Sequence, residues 1–592
     1  MTKAAIISER SQALLGSNRA FVTMECDHSK TCESAYNLTY PIPCSTASFV
    51  QESTSTLLAA RSYAKMGHSK AAWDALDALF VGSQGLIPRY RFFHTNDDTY
   101  FVQDTTVPNW RVFDPYGTNT ETTVATSNRI SSLPIHASLV LETFYLTNQT
   151  QDDLNGLERA FWHLWNHHEY LHTVVLRNCP GKNCYNIIHP WESDEGTIPP
   201  ETLQKINQQI KRLQWKLPLE IPYHVRNAWN FDNETFPAMI FLLECQSNAT
   251  HNCEGKFSNK TFCEETMIQS CPFAMLNVGH AAALVQSNRD LQIMADILVD
   301  VILVPSKPLL LQLAEWEASS KLILDSLWHA PSRSFLPRTE SQWIVIPKAA
   351  IFLGLWTTID SASWVGDMTF HLMQHEGDFA FDCGNYALWS SGGCKSRASI
   401  STELNYFVSR GMKRNGMNGM EHFLSISTIN LICQSESNDE QDGSCDQITF
   451  ANAFDASTNL PFGTLESCSS SWTATAAIAY NLVIPDKDFS YTPPPPIRAS
   501  WVIVLVFAEL IVAFTMGMSC LVLSLSLMKR LNSVVDDDDL RDNIMIWDTL
   551  SLDFFSAADS VDSRGTACGM VGNMLDQTLL VGYNEEDYAS EL

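Results

Sequence analysis

His168-Glu169-Tyr170-Leu171-His172 sets two imidazoles four positions apart, with a carboxylate beside the first. On one helical face that spacing can hold a zinc ion, the glutamate acting as base, and Glu192 follows at a separation compatible with a third ligand. The same histidines also continue an apolar face that opens at Leu154 and runs through Leu157, Phe161, Leu164 and Trp165. A histidine on such a face is more often held by hydrogen bonds than by metal. The Cys179-Pro180-Gly181 turn and Pro190 also interrupt the scaffold that would carry a third ligand. A zinc peptidase built on residues 168–172 therefore stands as the minor alternative, and neither a metal nor an organic cofactor is expected. Next comes His189-Pro190-Trp191-Glu192-Ser193-Asp194-Glu195, an indole among acidic side chains; far downstream, Phe450 to Gly463 carries Asn452 and Asp455. Carboxyl groups of this kind move protons when two of them face one bond.

The elements that must position these groups read as helices. From Phe49 to about Asn481, apolar residues recur at helical spacing between turns of Gly, Pro and Asn, with few alternating strand patterns. Ser55 to Leu79 and Glu201 to Leu217 are further stretches of the same kind. Such helices can pack as a bundle, a solenoid or an α-toroid, and the lack of a fixed-period repeat argues against a regular solenoid. The 592 residues, 45% hydrophobic and 18% charged, suffice for a large core. A formal charge of −28 without clustered Lys or Arg argues against nucleic acid as a partner.

Trp501 to Met528 is apolar except for Glu509 and long enough to cross a bilayer as one helix. Lys529 and Arg530 follow at once, so the expectation is a single-pass membrane protein with a cytoplasmic C-terminal tail and a lumenal or extracellular N-terminal domain. The sequons at Asn37, Asn148, Asn233, Asn248 and Asn259 all precede the span. Of the 16 cysteines, all but Cys520 and Cys568 do so too, as suits an oxidising compartment. Cys179 and Cys184 bracket a turn, while Cys245, Cys253, Cys263 and Cys271 crowd a stretch that reads as a stapled insertion. The expected division is an N-terminal segment 1–48, a helical domain 49–485, a Pro-rich stalk 486–500, a transmembrane helix 501–528 and an acidic, disordered tail 529–592.

Five segments, taken in order, carry a family resemblance: Gln84-Gly85-Leu86-Ile87-Pro88-Arg89; Asn128 to Ala137; His189 to Ser193; Ser396-Arg397-Ala398 through Asn405-Tyr406; and Phe450 to Gly463 followed by Ser471-Trp472-Thr473-Ala474. They resemble segments of the inverting glycoside hydrolases related to mannosylglycerate hydrolase and to the processing α-glucosidase of glycoside hydrolase family 63. The resemblance covers roughly residues 50 to 485. It implies an all-α fold, an (α/α)6 toroid of the six-hairpin glycosidase kind, with substrate in the funnel where the loops meet.

Inverting enzymes hold one carboxylic acid and one carboxylate about 6.5–9.5 Å apart, the first protonating the leaving oxygen and the second activating water. An ungapped match puts Gly196 at the family's acid position, with Asp194 and Glu195 just short of it. Asn452 occupies the base position; an amide can orient water but cannot take its proton at neutral pH, and Asp455 lies nearby in sequence. Ser132 stands where the family has Gln. The resemblance makes His189, Trp191, Glu192, Arg397 and Trp110 the candidate substrate contacts, with Trp191 able to stack on a sugar ring and Glu192 or Arg397 able to bind its hydroxyls. The implied partner is an α-linked glucosyl or mannosyl glycan, cut by an inverting-type site or, in the alternative, bound by a catalytically inactive toroid.

Overall fold

The structure is a computed structural model. It describes residues 3–17, 19–24, 36–41, 50–80, 85–93, 125–127, 131–175, 186–193, 198–216, 235, 237–242, 245, 271–299, 307–339, 342–344, 349–373, 399–434, 447–451, 453–455, 458–461, 473–484 and 525–526. The chain divides into two units, Met1–Phe489 and Ser490–Leu592, and all these residues except Leu525 and Ser526 fall in the first. The stalk 486–500, the tail 529–592 and nearly all of the span Trp501 to Met528 lie outside the described residues. Among the described residues, no helix is long and apolar enough to cross a membrane.

The helices of the first unit are α1 (Lys3–Ser17), α2 (Ser53–Lys65), α3 (Ser69–Phe80), α4 (His136–Leu146), α5 (Gln151–Tyr170), α6 (Pro200–Arg212), α7 (Val278–Val299), α8 (Lys307–Asp325), α9 (Ala362–Met373), α10 (Thr402–Arg414), α11 (Asn418–Ile432) and α12 (Thr473–Val483), with a 3-10 segment at Ala349–Trp356. Packing closes on itself: α2 lies against α4, α4 against α7, α7 against the 3-10 segment, that segment against α10, α10 against α12, and α12 against α2. Outside this ring α3 covers α2, α5 covers α4, α8 covers α7, α11 covers α10 and α1 covers α12. The architecture is an all-α toroid. Segment 1–48, set apart in the sequence reading, thus supplies α1 as an outer helix, inside the unit Met1–Phe489.

Composition explains which helices line the ring. An inner helix is covered on both sides, so it is apolar or small all round rather than striped. Every residue of α2 from Ser53 to Ala64 is buried, and α12 is buried from Thr473 to Asn481, the first being rich in Ala, Ser and Thr and the second in Ala and Thr. At Gly411 of α10 the neighbour is backbone: a Cβ there would lie 2.7 Å from the carbonyl carbon and oxygen of Leu355. Outer α5 keeps the amphipathic stripe read from sequence, with Leu157, Phe161 and Leu164 buried. Its start is fixed by a capping box in which the Thr150 side chain accepts from Asp153 N and Asp153 Oδ2 accepts from Thr150 N. The helical run Ser55 to Leu79 breaks into α2 and α3 at Gly67, whose φ of +83° permits the left-handed turn.

Hydrogen bonds at both ends show that the inner helices run parallel. Ser53 and His136, the first residues of α2 and α4, meet at 2.9 Å, and Arg61 and Glu142, near the opposite ends of the same helices, meet at 2.7 Å. Thr402 and Thr475, at the starts of α10 and α12, meet at 3.2 Å. At the far end Asn481 of α12 accepts from Arg61, and Arg414 of α10 donates to Glu142. The N-termini of the inner helices therefore gather on one side of the toroid and their C-termini on the other.

Candidate functional site

On the N-terminal side, the strand Val50–Glu52 leads directly into α2 and pairs antiparallel with Tyr90–Phe93, Gln51 lying opposite Arg91. The Glu52 carboxylate caps α2 by accepting from Ser55 N at 2.5 Å. Ser53 Oγ reaches His136 Nε2, and Ser132 Oγ donates to Ser53 Oγ at 3.3 Å. Gln51 and Ser55 are each 1% exposed, and among the described residues neither the Gln51 amide nor the Ser55 hydroxyl has a hydrogen-bond partner. Buried polar atoms of this kind normally bond to water or ligand. Burial holds His136 down at about 3, so its ring is neutral at ordinary pH.

The first predicted wall is a self-capped turn. His189 precedes the 3-10 turn Pro190–Glu192, and its Nδ1 accepts from Trp191 N at 3.1 Å. The ring proton is therefore on Nε2, which donates to Met239 O at 3.1 Å. Glu192 closes the turn from the other side: Oε2 accepts from Ile188 N at 2.7 Å and His189 N at 3.0 Å, and Oε1 accepts from Ser131 Oγ at 3.3 Å. Burial pushes the Glu192 carboxyl up to about 7 against these donors, which favour the carboxylate. Arg89 donates to Trp191 O, binding the turn to the residue just before the strand Tyr90–Phe93. His189, Trp191, Glu192 and Ser193 are all buried, with Trp191 4% exposed. His189 and Glu192 thus hold the Pro190–Glu192 turn closed through hydrogen bonds.

The second wall is pinned to the starts of α10 and α12. Thr402 Oγ1 and Thr475 Oγ1 both donate to Ala451 O, at 3.4 and 3.0 Å. The strand Ala453–Asp455 then pairs antiparallel with Ser399–Ser401, and Ser401 caps α10 by accepting from Leu404 N. Asp455 Oδ1 accepts from Thr458 N at 3.0 Å, and Asp455 N donates to Leu460 O at 2.8 Å, closing a turn whose Asn459 has a φ of +57°. Both predicted walls therefore hang from the N-terminal side of the inner ring, where the positive ends of the helix dipoles gather. Asp194, Glu195, Gly196, Asn452, Arg397 and Trp110 lie outside the described residues. Ala451 and Ala453 flank Asn452 in the chain and are both held.

The His-Glu-x-x-His stretch is occupied by core hydrogen bonding. His168 Nδ1 donates to Asn288 Oδ1 at 2.6 Å and its Nε2 accepts from Ser287 Oγ at 3.1 Å. Asn288 Nδ2 donates to His172 Nε2 at 3.1 Å and to Ser320 Oγ at 3.0 Å. Each imidazole thereby spends the lone pair that zinc would need. Burial holds His168 at about 4 and His172 at about 3, and His172 stacks on Trp316 with ring centroids 5.1 Å apart. The helix also widens to a π-turn at Leu171–Val175, which takes His172 off regular α spacing. Among the described residues, no group of three metal-ligating side chains is assembled.

Sequence reading passed over Gln51, Ser53 and Ser55. Their only local signal is a polar run, Gln51 to Thr56, at the head of an otherwise buried helix. Of the expected disulfides, Cys245 bonds Cys271 with Cα atoms 5.8 Å apart, and Cys253, Cys263, Cys179 and Cys184 lie outside the described residues.

Comparison with known proteins places this geometry. The model of the mannosylglycerate hydrolase MGH1-like glycoside hydrolase domain matches residues 50–385. Among solved structures, the chain is similar to the GH63 mannosylglycerate hydrolase of Thermus thermophilus in complex with Tris and D-glycerate, at 18% identity and a TM-score of 0.59, over 81% of this chain and 99% of that one. The same enzyme in complex with glucose aligns at 16% identity and a TM-score of 0.59, again over 81% and 99% of the two chains. No curated protein relative matches at the sequence level.

Proposed function

The chain belongs to the mannosylglycerate hydrolase MGH1-like glycoside hydrolase family, and from that premise we propose that its toroid takes an α-linked glucosyl or mannosyl glycan into the funnel on the N-terminal side of the inner helices. The observations that carry the reading are the hydrogen bond from Ser131, in the segment that leads into α4, to Glu192 of the first wall, and the hydrogen bonds from Thr402 and Thr475, at the starts of α10 and α12, to Ala451 of the second. The fold relative from Thermus thermophilus holds glucose in one structure and D-glycerate in another, which supports a sugar or sugar-acid ligand class.

In this reading Asp194 or Glu195 protonates the leaving oxygen, and a carboxylate displaced from position 452 activates the attacking water. The geometric requirement is that the two groups face each other across the glycosidic bond. Trp191 orders the wall, and Arg397 and Trp110 meet the sugar from the segments beyond. The purified chain is expected to release sugar from α-glucosides or α-mannosides, with Glu195→Gln or Asp194→Asn stopping release. Asn452 favours a second reading, since an amide at the base position leaves a sugar-binding module without hydrolysis. Glycan binding in calorimetry with no release across a broad panel selects that second reading; absence of both binding and release overturns the proposal.

We extend the proposal to placement: Trp501 to Met528 tethers the toroid to a membrane, with the toroid on the lumenal or extracellular side. The Cys245–Cys271 bond supports an oxidising compartment. Protease added outside intact vesicles should remove only the tail after Lys529; digestion of the toroid would reject this orientation.

A further inference from the structure

We infer that Asn148 carries an N-linked glycan whose first sugars rest in a surface cleft between α1, α3 and the start of α5. The inference builds on the lumenal placement proposed above. Asn148-Gln149-Thr150 is a sequon in the loop joining α4 to α5, and all three residues are exposed. Gln149 takes a left-handed φ of 53°, so the sequon sits on a turn outside both helices. Asn148 and Thr150 line a cleft of about 1090 Å³ together with Arg19, Asp74, Asn155 and Arg159. Its walls offer charged and amide groups, which suit the hydroxyl and acetamido groups of a glycan core.

The sequon hydroxyl sets the order of events. Thr150 Oγ1 donates to Asp153 Oδ2 at 2.8 Å and accepts from Asp153 N, while Asp153 Oδ1 accepts from Trp73 Nε1 at 2.9 Å. In the folded chain this hydroxyl is locked into the cap of α5, so glycan transfer precedes capping and occurs on the unfolded or emerging chain. The donor is a polyprenyl-diphosphate-linked oligosaccharide. The Asn148 amide nitrogen bonds to the anomeric carbon, the bond from that carbon to the diphosphate breaks, the lipid diphosphate leaves with the electron pair, and one amide proton is released.

The test is to express the full chain in secretory cells that attach N-linked glycans and to map site occupancy by glycopeptide mass spectrometry. Occupied Asn148, one glycan fewer in Asn148→Gln with unchanged folding, and an Asn148 glycan trimmed more slowly by endoglycosidase in native than in unfolded protein are the expected results. Asn148→Gln leaves Thr150 and Asp153 in place, so the cap survives the substitution. Thr150→Ser retains both sequon and cap and should retain the glycan. An unmodified Asn148 peptide beside other glycosylated sequons overturns the site itself. A chain with no glycan at any sequon overturns it through the lumenal placement, and equal trimming rates in native and unfolded protein overturn the seat in the cleft.

Discussion

Glu142→Gln keeps the side-chain volume of Glu142 and removes the charge on which three guanidinium groups converge. Arg61 Nε lies 2.7 Å from its carboxylate, Arg410 Nη2 3.0 Å and Arg414 Nη2 3.1 Å. These residues sit at the C-terminal side of α2, α4 and α10, so the cluster forms the base of the ring opposite the candidate site. At an effective dielectric of about 20, a pair near 4 Å attracts by roughly 4 kcal/mol, opposed by the cost of desolvating both ions. Removing one partner of a buried pair leaves the other charge desolvated and costs about 3–5 kcal/mol. Arg61 is 1% exposed and Glu142 15%, so water screens this contact little. Arg410 and Arg414 are 17% and 20% exposed, and the negative helix ends beside them offset part of the repulsion left behind. The expected loss is therefore about 3 kcal/mol, at the lower end of that range. Urea unfolding followed by tryptophan fluorescence should show a lower midpoint with an unchanged slope. Arg410→Met in the Glu142→Gln background should recover part of the loss, because it lowers the positive charge left beside Arg61 and Arg414. Asp77→Asn breaks the bridge to Arg159, which is 51% exposed, and serves as the control at under about 1 kcal/mol. A Glu142→Gln loss no larger than the control would refute the convergence of parallel helix ends on this carboxylate.

Three other outcomes test separate parts of the structure. Gly411→Ala should destabilise by about 1–3 kcal/mol or more, since its Cβ would meet Leu355 backbone that cannot swing aside, whereas Gly366→Ala, with nothing within 4 Å, should be neutral or stabilising by calorimetry. Burial holds His136, His172, His189 and His280 at about 3 and His168 at about 4, below the ordinary value of 6.5. Between these values the unfolded chain binds more protons at the histidines, so their contribution to stability is complete above about pH 6.5 and is lost as pH drops toward about 3, by up to about 1.4 kcal/mol per pH unit for each histidine, while the single Glu192, raised to about 7, acts in the opposite sense. A denaturation midpoint that stays flat from about pH 7 to pH 5 would show that these rings are solvated. Asn288→Ala removes one hydrogen-bond partner from each of His168 and His172 and should cost about 1–3 kcal/mol, while dialysis against a chelator should leave the midpoint unchanged. A chelator-induced fall would return these histidines to zinc.

What the residues declare by themselves is local. Apolar spacing along Leu154 to Trp165 specifies a helix with one buried stripe, because neighbours three and four apart share a face whatever surrounds them. The order of the five resembling segments pointed to the toroid, whereas the capped turn at His189 to Ser193 came only with the structure. Periodicity does not tell whether a helix lies inside or outside a ring, and α2 and α12 show why: burial on every side erases the stripe. Nor does it tell that α1 joins the domain, because that depends on packing against α12 at the other end of the chain. The residues pointed to hydrogen-bonded rather than metal-bound His168 and His172 without naming partners, and Ser287 and Asn288 come to them from α7. Arg61 meets Asn481 across 420 positions. Such meetings follow from closing the ring, and ring closure is a property of all the inner helices together, so only the tertiary structure decides at which end the buried charges gather.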